Sequence, residues 1–367
     1  MKEHLPEYFS EFLGTALMML IGIGAVTIMW ANSSPLPELI PSPDLRRLLT
    51  GMMFAGGATL VVLSPLGQRS GGHLNPAVTL AFWWKGQVRT VDAVMYGVAQ
   101  IIGAIVGVYV VAQAGSNWAS EVQLGITLPG TGYSPAAAFI AEVVITFLLV
   151  FLIFFCVSQP KLANKTPYLA GSLVAFLVFV EAPISGTSLN PARSFAPALL
   201  VGNFQDNWLY WIAPLIGAGL AVLIFASLFP EKKKHGCAKL FHTERYRCIF
   251  MNCDYANVEA GHVLLREGEL ADHAYVVERG ELEVRKRDEG GKEVTIATLG
   301  PGDWVGEMAL LLDVPRSASV VASKDCQLRA VTKANFAHVI AEHPHETEQL
   351  LKQLASRLSK ADQKLIV

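Results

Sequence analysis

The residues of this sequence that most clearly indicate a chemical role are two copies of the tripeptide Asn-Pro-Ala. They are Asn75-Pro76-Ala77 and Asn190-Pro191-Ala192, within the similar stretches GGHLNPAVTLAF and GTSLNPARSFAP. Asparagine is a good N-cap, and proline suits the first helical turn because its missing N–H would have no partner there. Each tripeptide therefore predicts the start of a short helix, over about 75–85 and 190–201.

What two such helix starts can do depends on where they lie. A single Asn-Pro-Ala is a weak signal that usually marks only a helix cap, but two of them at equivalent positions of an apolar repeat (190 minus 75 gives the offset, 115) are a strong one. If the short helices meet by their N-termini, two positive dipole ends lie at one point. That field opposes cations, including a hopping proton, while the asparagine amides can donate to a neutral molecule. The pair predicts a path for uncharged, hydrogen-bonding solutes.

The elements that position these loops are six apolar segments, each close to the roughly 20 residues that a bilayer core of about 30 Å requires. They lie near 7–30, 48–66, 91–114, 135–157, 167–183 and 208–229. A buried soluble core is the alternative, but these segments carry almost no charges. EFLGTAL (11–17) and EVVITFL (142–148) are also alike, so each repeat has three spans and the two repeats must be inverted, with the site at their interface. The predicted fold is α-helical, with six transmembrane helices and two re-entrant half-helices.

Charge density divides the chain. Residues 1–230 contain 19 of the charged residues and residues 231–367 contain 41. This predicts a membrane domain over 1–230, a basic linker over 231–245 and a soluble domain over 246–367. The net charge of −2 gives no indication of a nucleic-acid partner.

Lysine and arginine in the loops predict that the N- and C-termini are cytoplasmic, in a plasma or inner membrane. Loop 115–133 lacks both residue types, and Arg46 and Arg47 are the exception to the rule. The five cysteines match no metal motif, so no metal site is predicted and all are interpreted as reduced structural thiols (Cys156, Cys237, Cys248, Cys253 and Cys326).

With both Asn-Pro-Ala loops in place, residues 5–230 resemble the aquaporin/aquaglyceroporin (major intrinsic protein) family. The resemblance implies a homotetramer in membrane lipid, with one pore per subunit for water or small neutral solutes. It also implies that Glu11 and Glu142 accept hydrogen bonds from the re-entrant loops, and Gln100 is assigned a similar bracing role.

The resemblance further places Arg193 in a selectivity filter with Thr187, Val178 and Ala55. Thr187 and Val178 are located by their spacing from Asn190, and Ala55 is located by its spacing from Asn75. Water-selective relatives have a histidine and an aromatic residue where this chain has Val178 and Ala55, so a wider, less polar filter is expected. Water, glycerol, urea, ammonia, peroxide and metalloid acids remain open as solutes, and the small-residue set is most similar to that of metalloid-permeable members.

The charged half alternates apolar and polar residues between glycine turns, which predicts a small β-barrel or jelly roll with helices near 333–342 and 346–364. Within GDWVGEMALLLDVPRSASV (302–320), a Gly-Glu turn opens a short helix whose N–H groups can hold a phosphate, and Arg316 supplies a charged fork. Together with REGE (266–269) and GELEV (280–284), this resembles the cyclic-nucleotide-binding domain.

That second resemblance implies that Arg316 holds the cyclic phosphate and Glu307 the ribose 2′-hydroxyl. Close backbone or hydroxyl contacts with the ligand are assigned to Gly306, Ala309 and Ser317. Ala361 and Asp362 fall near the expected lid over the base. Cyclic AMP is favoured over cyclic GMP as the regulatory ligand. A degenerate cassette, kept only for assembly, is the alternative.

The sequence as a whole predicts a channel for water and small neutral solutes, regulated by cyclic nucleotide. The main alternative is a constitutive pore whose second domain serves assembly or partner recruitment, and a third class is a receptor that senses without conducting. An enzyme is not predicted, because no nucleophile–base arrangement is present, and no catalytic cofactor is expected.

Overall fold

A computed structural model of the chain describes residues 4–230, 237–241, 249–250, 255–271, 273–287, 293–332, 336 and 344–365. The chain forms two compact units, Met1–Cys253 and Asp254–Val367. The boundary lies beyond the predicted one at residue 230. Ala238 and Leu240 of the predicted linker, and Phe250 of the predicted soluble domain, are buried within the first unit, which explains why the described residues around them belong to it.

The first unit is helical, and six helices in its described part are long and apolar enough to cross a membrane, as predicted. These are α1 (Leu5–Trp30), α3 (Pro43–Leu63), α6 (Thr90–Glu121, apolar over Thr90–Gly115), α7 (Pro135–Val157), α9 (Thr166–Ser185) and α11 (Leu209–Leu228). The second span begins at Pro43, before the predicted start at residue 48, because Ser42 caps the helix and its hydroxyl accepts a hydrogen bond from Leu45 N at 3.3 Å.

Shorter helices connect and support the spans. They are α2 (Leu36–Leu39), α4 (Pro65–Ser70), α5 (Pro76–Trp84), a 3₁₀ turn (Gln123–Gly125), α8 (Pro160–Ala163) and α10 (Pro191–Val201). The half-helices α5 and α10 begin at the prolines that the sequence indicated, whereas α4 was not predicted.

Packing follows the internal repeat. Helix α1 packs against α3 and α6, and its counterpart α7 packs against α9 and α11. Each half-helix also contacts the third span of the other repeat, α5 with α11 and α10 with α6. The two half-helices are therefore held at the interface between the repeats, where a conduction path is expected.

The described residues of the second unit form two four-stranded antiparallel sheets, with strand orders β1-β8-β3-β6 and β2-β7-β4-β5. The strands are β1 (Tyr255–Val258), β2 (Val263–Leu265), β3 (His273–Arg279), β4 (Leu282–Arg287), β5 (Glu293–Leu299), β6 (Trp304–Val305), β7 (Ser319–Ala322) and β8 (Cys326–Thr332). The described strands do not close into one barrel, so the jelly-roll form of the prediction applies. Val277, Leu282 and Leu328 lie in the apolar core between the sheets.

Two helices of this unit matter for the site: α12 (Glu307–Leu312) and α13 (Pro344–Leu365). The second agrees with the predicted helix near 346–364, whereas most of the one near 333–342 lies outside the described residues. Cys156 and Cys326 are free and buried, but Cys237 is disulfide-bonded, so the expectation of five reduced thiols was wrong there. Cys248 and Cys253 lie outside the described residues, and the described residues contain no cluster of metal-binding side chains.

Candidate functional site

The two asparagines of the repeated tripeptides meet at the repeat interface. Asn75 Nδ2 donates to the carbonyl oxygen of Leu189 at 2.8 Å, and Asn190 Nδ2 donates to that of Leu74 at 2.9 Å. Leu74 and Leu189 have φ values of +51° and +57°, a conformation that is uncommon for such residues and is found where a site demands it. The left-handed turns direct both carbonyls toward the opposite loop.

Each asparagine also caps its own half-helix. The Oδ1 atom of Asn75 accepts from Ala77 N at 2.8 Å, and that of Asn190 accepts from Ala192 N at 3.0 Å. Pro76 and Pro191 occupy the first helical positions. An amide nitrogen has two hydrogens, so each Nδ2 can bind the facing carbonyl and still offer a second hydrogen to a molecule in the pore.

Glu11 braces the first re-entrant loop from within α1. Its Oε1 accepts from Ser70 Oγ at 2.7 Å and His73 N at 3.0 Å, and its Oε2 accepts from Leu74 N at 2.8 Å and Gln100 Nε2 at 2.7 Å. The carboxylate is completely buried. Four donors on one carboxylate compensate for its removal from water and hold the loop in a single conformation.

Glu142 occupies the equivalent place in the second repeat. Its Oε1 accepts from Ser185 Oγ at 2.6 Å and Ser188 N at 2.7 Å, and its Oε2 accepts from Leu189 N at 2.9 Å. The structure thus brings Glu11, Glu142 and Gln100 to the loops that the sequence assigned to them.

Two further pairs belong to this scaffold and were not predicted. Tyr96 donates its hydroxyl to Ser70 O at 2.7 Å, and Tyr210 donates its hydroxyl to Ser185 O at 2.6 Å. The serines are related by the same offset as the asparagines (185 minus 70, or 115), and the tyrosines by one position less (210 minus 96, or 114). The repeat offset was therefore the signal that could have identified them.

Arg193 lies where the two cavities of the pore meet. Its Nη1 donates to Gly125 O at 2.8 Å, and its guanidinium lies 5.4 Å from the ring centroid of Phe54. Arg193 and Phe54 each line both cavities, of about 120 Å³ and about 400 Å³. Phe54 was not predicted, and it supplies an aromatic ring beside Arg193, one position before Ala55 of the predicted filter.

The other predicted filter residues are divided between the cavities. Thr187 and Val178 line the larger one, which we call the wide cavity, and Ala55 lines the smaller one, the central cavity. Thr187 donates its hydroxyl to Glu181 Oε2 at 2.5 Å, an unpredicted contact that fixes the threonine side chain.

In the second unit, the predicted cassette residues lie around α12. Arg316 is buried, its Nη1 donates to Gly306 O at 2.7 Å, and its Nη2 donates to His273 O. Gly306 has φ +79°, and a Cβ there would lie 2.5 Å from Arg316 Nη1, so only glycine permits this approach. Ala309 is buried and Ser317 is exposed.

Glu307 is almost completely buried and forms an ion pair with Arg357 of α13. Burial raises the pKa of Glu307 above its ordinary value, and the charges of Arg357 and Arg316 oppose that rise. The carboxyl that the resemblance assigns to a ribose is thus held by a cation from a distant part of the sequence, which sequence patterns did not reveal.

The last helix contacts the same region through Gln353. Trp304 N donates to Gln353 Oε1 at 2.9 Å, and Gln353 Nε2 donates to Trp304 O at 2.9 Å. Ala361 and Asp362, the predicted lid positions, fall on this helix where side chains lie outside the described part of the chain. The helix therefore docks beside the cassette through Gln353 and Arg357.

Comparisons with known proteins match both units. The family described as "Major intrinsic protein" matches residues 1–225, and the one described as "Cyclic nucleotide-binding domain" matches residues 256–343. "Aquaporin TIP2-3" of Zea mays is 34% identical over 228 residues, which cover 61% of this chain and 88% of that protein. "Aquaporin TIP2-1" of Arabidopsis thaliana is 32% identical over 238 residues, which cover 63% and 90%.

Among solved structures, the crystal structure of Thermus thermophilus Catabolite Activator Protein is 35% identical to this chain, with a TM-score of 0.29. The match covers 30% of this chain and 52% of that one, about half of its length.

Proposed function

The chain belongs to the major intrinsic protein family and also carries a cyclic nucleotide-binding domain, and from this premise we propose that it conducts water and small neutral solutes under the control of cyclic nucleotide. Its aquaporin relatives are channels rather than enzymes. The chain is an integral membrane protein with six apolar spans. The proposal concerns the solutes, the regulation and the assembly.

The observation that carries the proposal for conduction is the pair of asparagines facing each other across the repeat interface. Two half-helices present their N-termini at one point, so the local field is positive and disfavours cations. A neutral molecule can exchange hydrogen bonds with the amides without losing all of its hydration energy. Arg193 adds a fixed positive charge between the two cavities. Neutral hydrogen-bonding solutes therefore fit the path, and cations do not.

The filter proposal includes Phe54 beside the sequence-derived set of Ala55, Val178, Thr187 and Arg193. A ring next to the guanidinium narrows a filter that would otherwise contain only small side chains. Water is the first solute to test, and glycerol and urea measure how much the ring restricts larger molecules.

Regulation is supported by the charges of the cassette. Arg316 and Glu307 are both present and buried, and Gly306 leaves the space that the Arg316 guanidinium occupies. A permanently charged guanidinium suits a phosphodiester, and a carboxylate suits a ribose hydroxyl. We assign cyclic AMP as the first nucleotide to test and cyclic GMP as its competitor.

The same proposal places the protein in a plasma or inner membrane, with both termini on the cytoplasmic side and four chains in the assembled channel. Nucleotide can then reach the second unit from the cytoplasm. It changes conduction only to the extent that it binds the open and closed states with different affinity.

The experiment is stopped-flow light scattering on vesicles that contain the full chain, with and without saturating cyclic AMP, for water, glycerol and urea in turn. We expect a nucleotide-dependent permeability that Arg316→Glu abolishes, together with nucleotide binding measured by calorimetry. Arg285→Glu is the matched control, because Arg285 is a partly exposed arginine of the same unit that pairs with Glu283 outside the cassette.

The outcomes separate the two parts of the proposal. Permeability that ignores both nucleotides despite measured binding would move the second unit's role to assembly or partner recruitment. Vesicles no more permeable than empty ones under every condition would contradict conduction itself. Unchanged nucleotide affinity in Arg316→Glu would overturn the cassette assignment.

A further inference from the structure

A short stretch after the last span packs against the first re-entrant loop. We call residues 237–241 and 249–250 the closing segment; both parts belong to the first unit. Leu240 N donates to Gly71 O at 3.0 Å, and the carbonyl oxygen of Ala238 lies 2.7 Å from His73 Nε2. These backbone contacts hold the segment directly beside the loop that ends at Asn75.

Aromatic stacking adds a second, independent set of contacts. The His73 ring lies between two phenylalanines, with ring centroids 5.0 Å from Phe82 and 5.2 Å from Phe250, and the planes are within 14° and 10° of parallel. Phe250 also contacts Tyr96 at 5.9 Å. The loop histidine is thus stacked on both the pore's own half-helix and the closing segment.

The closing segment is buried even where its residues are polar. Lys239 is only 2% exposed, and its Nζ donates to the carbonyl oxygen of Gln68 at 2.8 Å. Lysine is rarely buried to this degree unless its charge is held by defined partners. The burial therefore indicates a built contact rather than a chain end resting on a surface.

Gly71 shows that the loop is shaped for this contact. Its φ is +94°, and a Cβ there would lie 2.7 Å from the Phe250 ring and 3.3 Å from Lys239 Cα. A residue with a side chain would be strained at that φ and would displace the segment. The glycine thus permits both the turn of the loop and the close approach of the closing segment.

Leu240 connects the closing segment with the conduction path, because it lines the central cavity together with Val62, His73 and Asn75. It is 6% exposed. An apolar side chain at the mouth of a narrow path removes hydrogen-bonding partners and favours dewetting, which is a known way to gate a pore.

We propose that the closing segment is an autoinhibitory plug, which occupies the His73 end of the pore and must leave it before solute can pass. This inference rests on the proposed channel function and names the part of the chain through which nucleotide acts. Phe250 precedes the first strand of the second unit, which begins at Tyr255, by five residues, a reach of at most about 18 Å. Displacement of that strand beyond this reach must pull Phe250 away from His73.

The test compares the full chain with the double variant Leu240→Ala/Phe250→Ala in reconstituted vesicles, with water permeability read by stopped-flow light scattering without nucleotide. The variant loses the two apolar side chains that hold the plug, so we expect permeability to rise roughly tenfold and to become independent of cyclic AMP. Leu270→Ala is the matched control, since Leu270 is 85% exposed in the second unit, and it should behave like the unmodified chain.

If the unmodified chain is already permeable to water without nucleotide and the variant has the same permeability, the plug is overturned and the channel function stands. A variant that stays as impermeable as the unmodified chain without nucleotide, while cyclic AMP opens the unmodified chain, would also overturn the plug. If neither protein raises permeability above that of empty vesicles even with saturating cyclic AMP, both the plug and the proposed channel are contradicted.

Hydrogen exchange on the unmodified chain keeps the test independent of how the variant folds. The Leu240 amide donates to Gly71 O, so peptides that cover 238–241 should exchange slowly without nucleotide and faster with saturating cyclic AMP. Exchange at the rate of an unstructured peptide in the absence of nucleotide would overturn the plug.

Discussion

Phe54 illustrates how a single position along a helix determines what a permeating molecule meets. The spacing from Asn75 leads to Ala55, which lines the central cavity, while Phe54 lines both cavities and lies against Arg193. Successive side chains of an α-helix are rotated by about 100° around the helix axis. Spacing along the chain therefore identifies the turn of the helix, but not which of its side chains faces the guanidinium.

We predict that Phe54→Ala raises glycerol and urea permeability several-fold and changes water permeability much less. The ring limits the width beside Arg193, and width affects larger solutes more strongly than water. The measurement is stopped-flow light scattering with each solute in the same vesicles. Phe176→Ala is the control, because Phe176 is 58% exposed on the outside of its span. Equal changes for water and glycerol would show that Phe54 does not form the size filter.

At the scale of elements, Arg357 and Gln353 tie helix α13 to the cassette, and Arg357 Nη2 also donates to Trp304 O at 3.3 Å. Arg357 pairs with Glu307, and Gln353 pairs with both backbone polar atoms of Trp304. The proposed ribose-binding carboxyl is therefore also the contact that docks the last helix. A nucleotide that engages Glu307, as proposed, would compete with Arg357 for the same carboxyl and so act on α13.

The ion pair leads to a prediction of pH dependence. Burial raises the pKa of Glu307. At pH values between the ordinary pKa of glutamate and this raised value, the folded state therefore keeps a proton that the unfolded chain has lost. The stabilisation from that proton is complete below the ordinary pKa of glutamate and is lost as the pH rises through the folded-state value. Arg357 opposes the loss because it stabilises the ionised carboxylate. Arg357→Met should therefore lower the free energy of unfolding of the second unit little in mild acid, and by about 1–2 kcal/mol at neutral pH.

The measurement is the urea midpoint of the second unit, followed by labelling of Cys326, a free thiol buried in that unit. Each sample is unfolded at its own pH and labelled in a short pulse at one common pH. Arg285→Met, which removes a partly exposed arginine, should change the free energy of unfolding by less than about 0.5 kcal/mol at every pH. A loss in Arg357→Met that is equal in acid and at neutral pH would contradict a role through Glu307.

At the scale of the whole molecule, the outer faces of the spans are strongly apolar. Large side chains on different spans are more than 60% exposed, including Leu60, Ile140 and Leu223. Such surfaces require lipid or neighbouring subunits as their environment. These faces are consistent with the homotetramer that the resemblance to the major intrinsic protein family implies.

We predict that native mass spectrometry of the detergent-purified chain gives a particle of four copies. Arg316→Glu should give the same mass, because the cassette lies in the second unit and the apolar faces lie in the first. A monomeric mass for the unmodified chain would contradict the tetramer. A tetramer that is lost only in Arg316→Glu would instead assign the second unit to assembly.

Several features of this protein could be inferred from its sequence alone, because they depend on residues that are close in the chain or repeated at a constant offset. The Asn-Pro-Ala pair determined where the half-helices begin, and the lengths of the apolar segments determined six spans. The motifs of residues 266–269, 280–284 and 302–320 indicated the cyclic nucleotide-binding domain through their resemblance to it. Local capping, hydropathy and repeat symmetry are sufficient for such features.

Only the tertiary structure decided the features that join distant parts of the chain. The rotation that brings Phe54 to Arg193, the pairing of Glu307 with Arg357 and the stacking of Phe250 on His73 leave no pattern in the sequence. Each arises from packing between segments that are far apart in the chain. The stretch after the last span was predicted to be a basic linker, yet Ala238 and Leu240 are buried in the first unit, where they lie beside the first re-entrant loop.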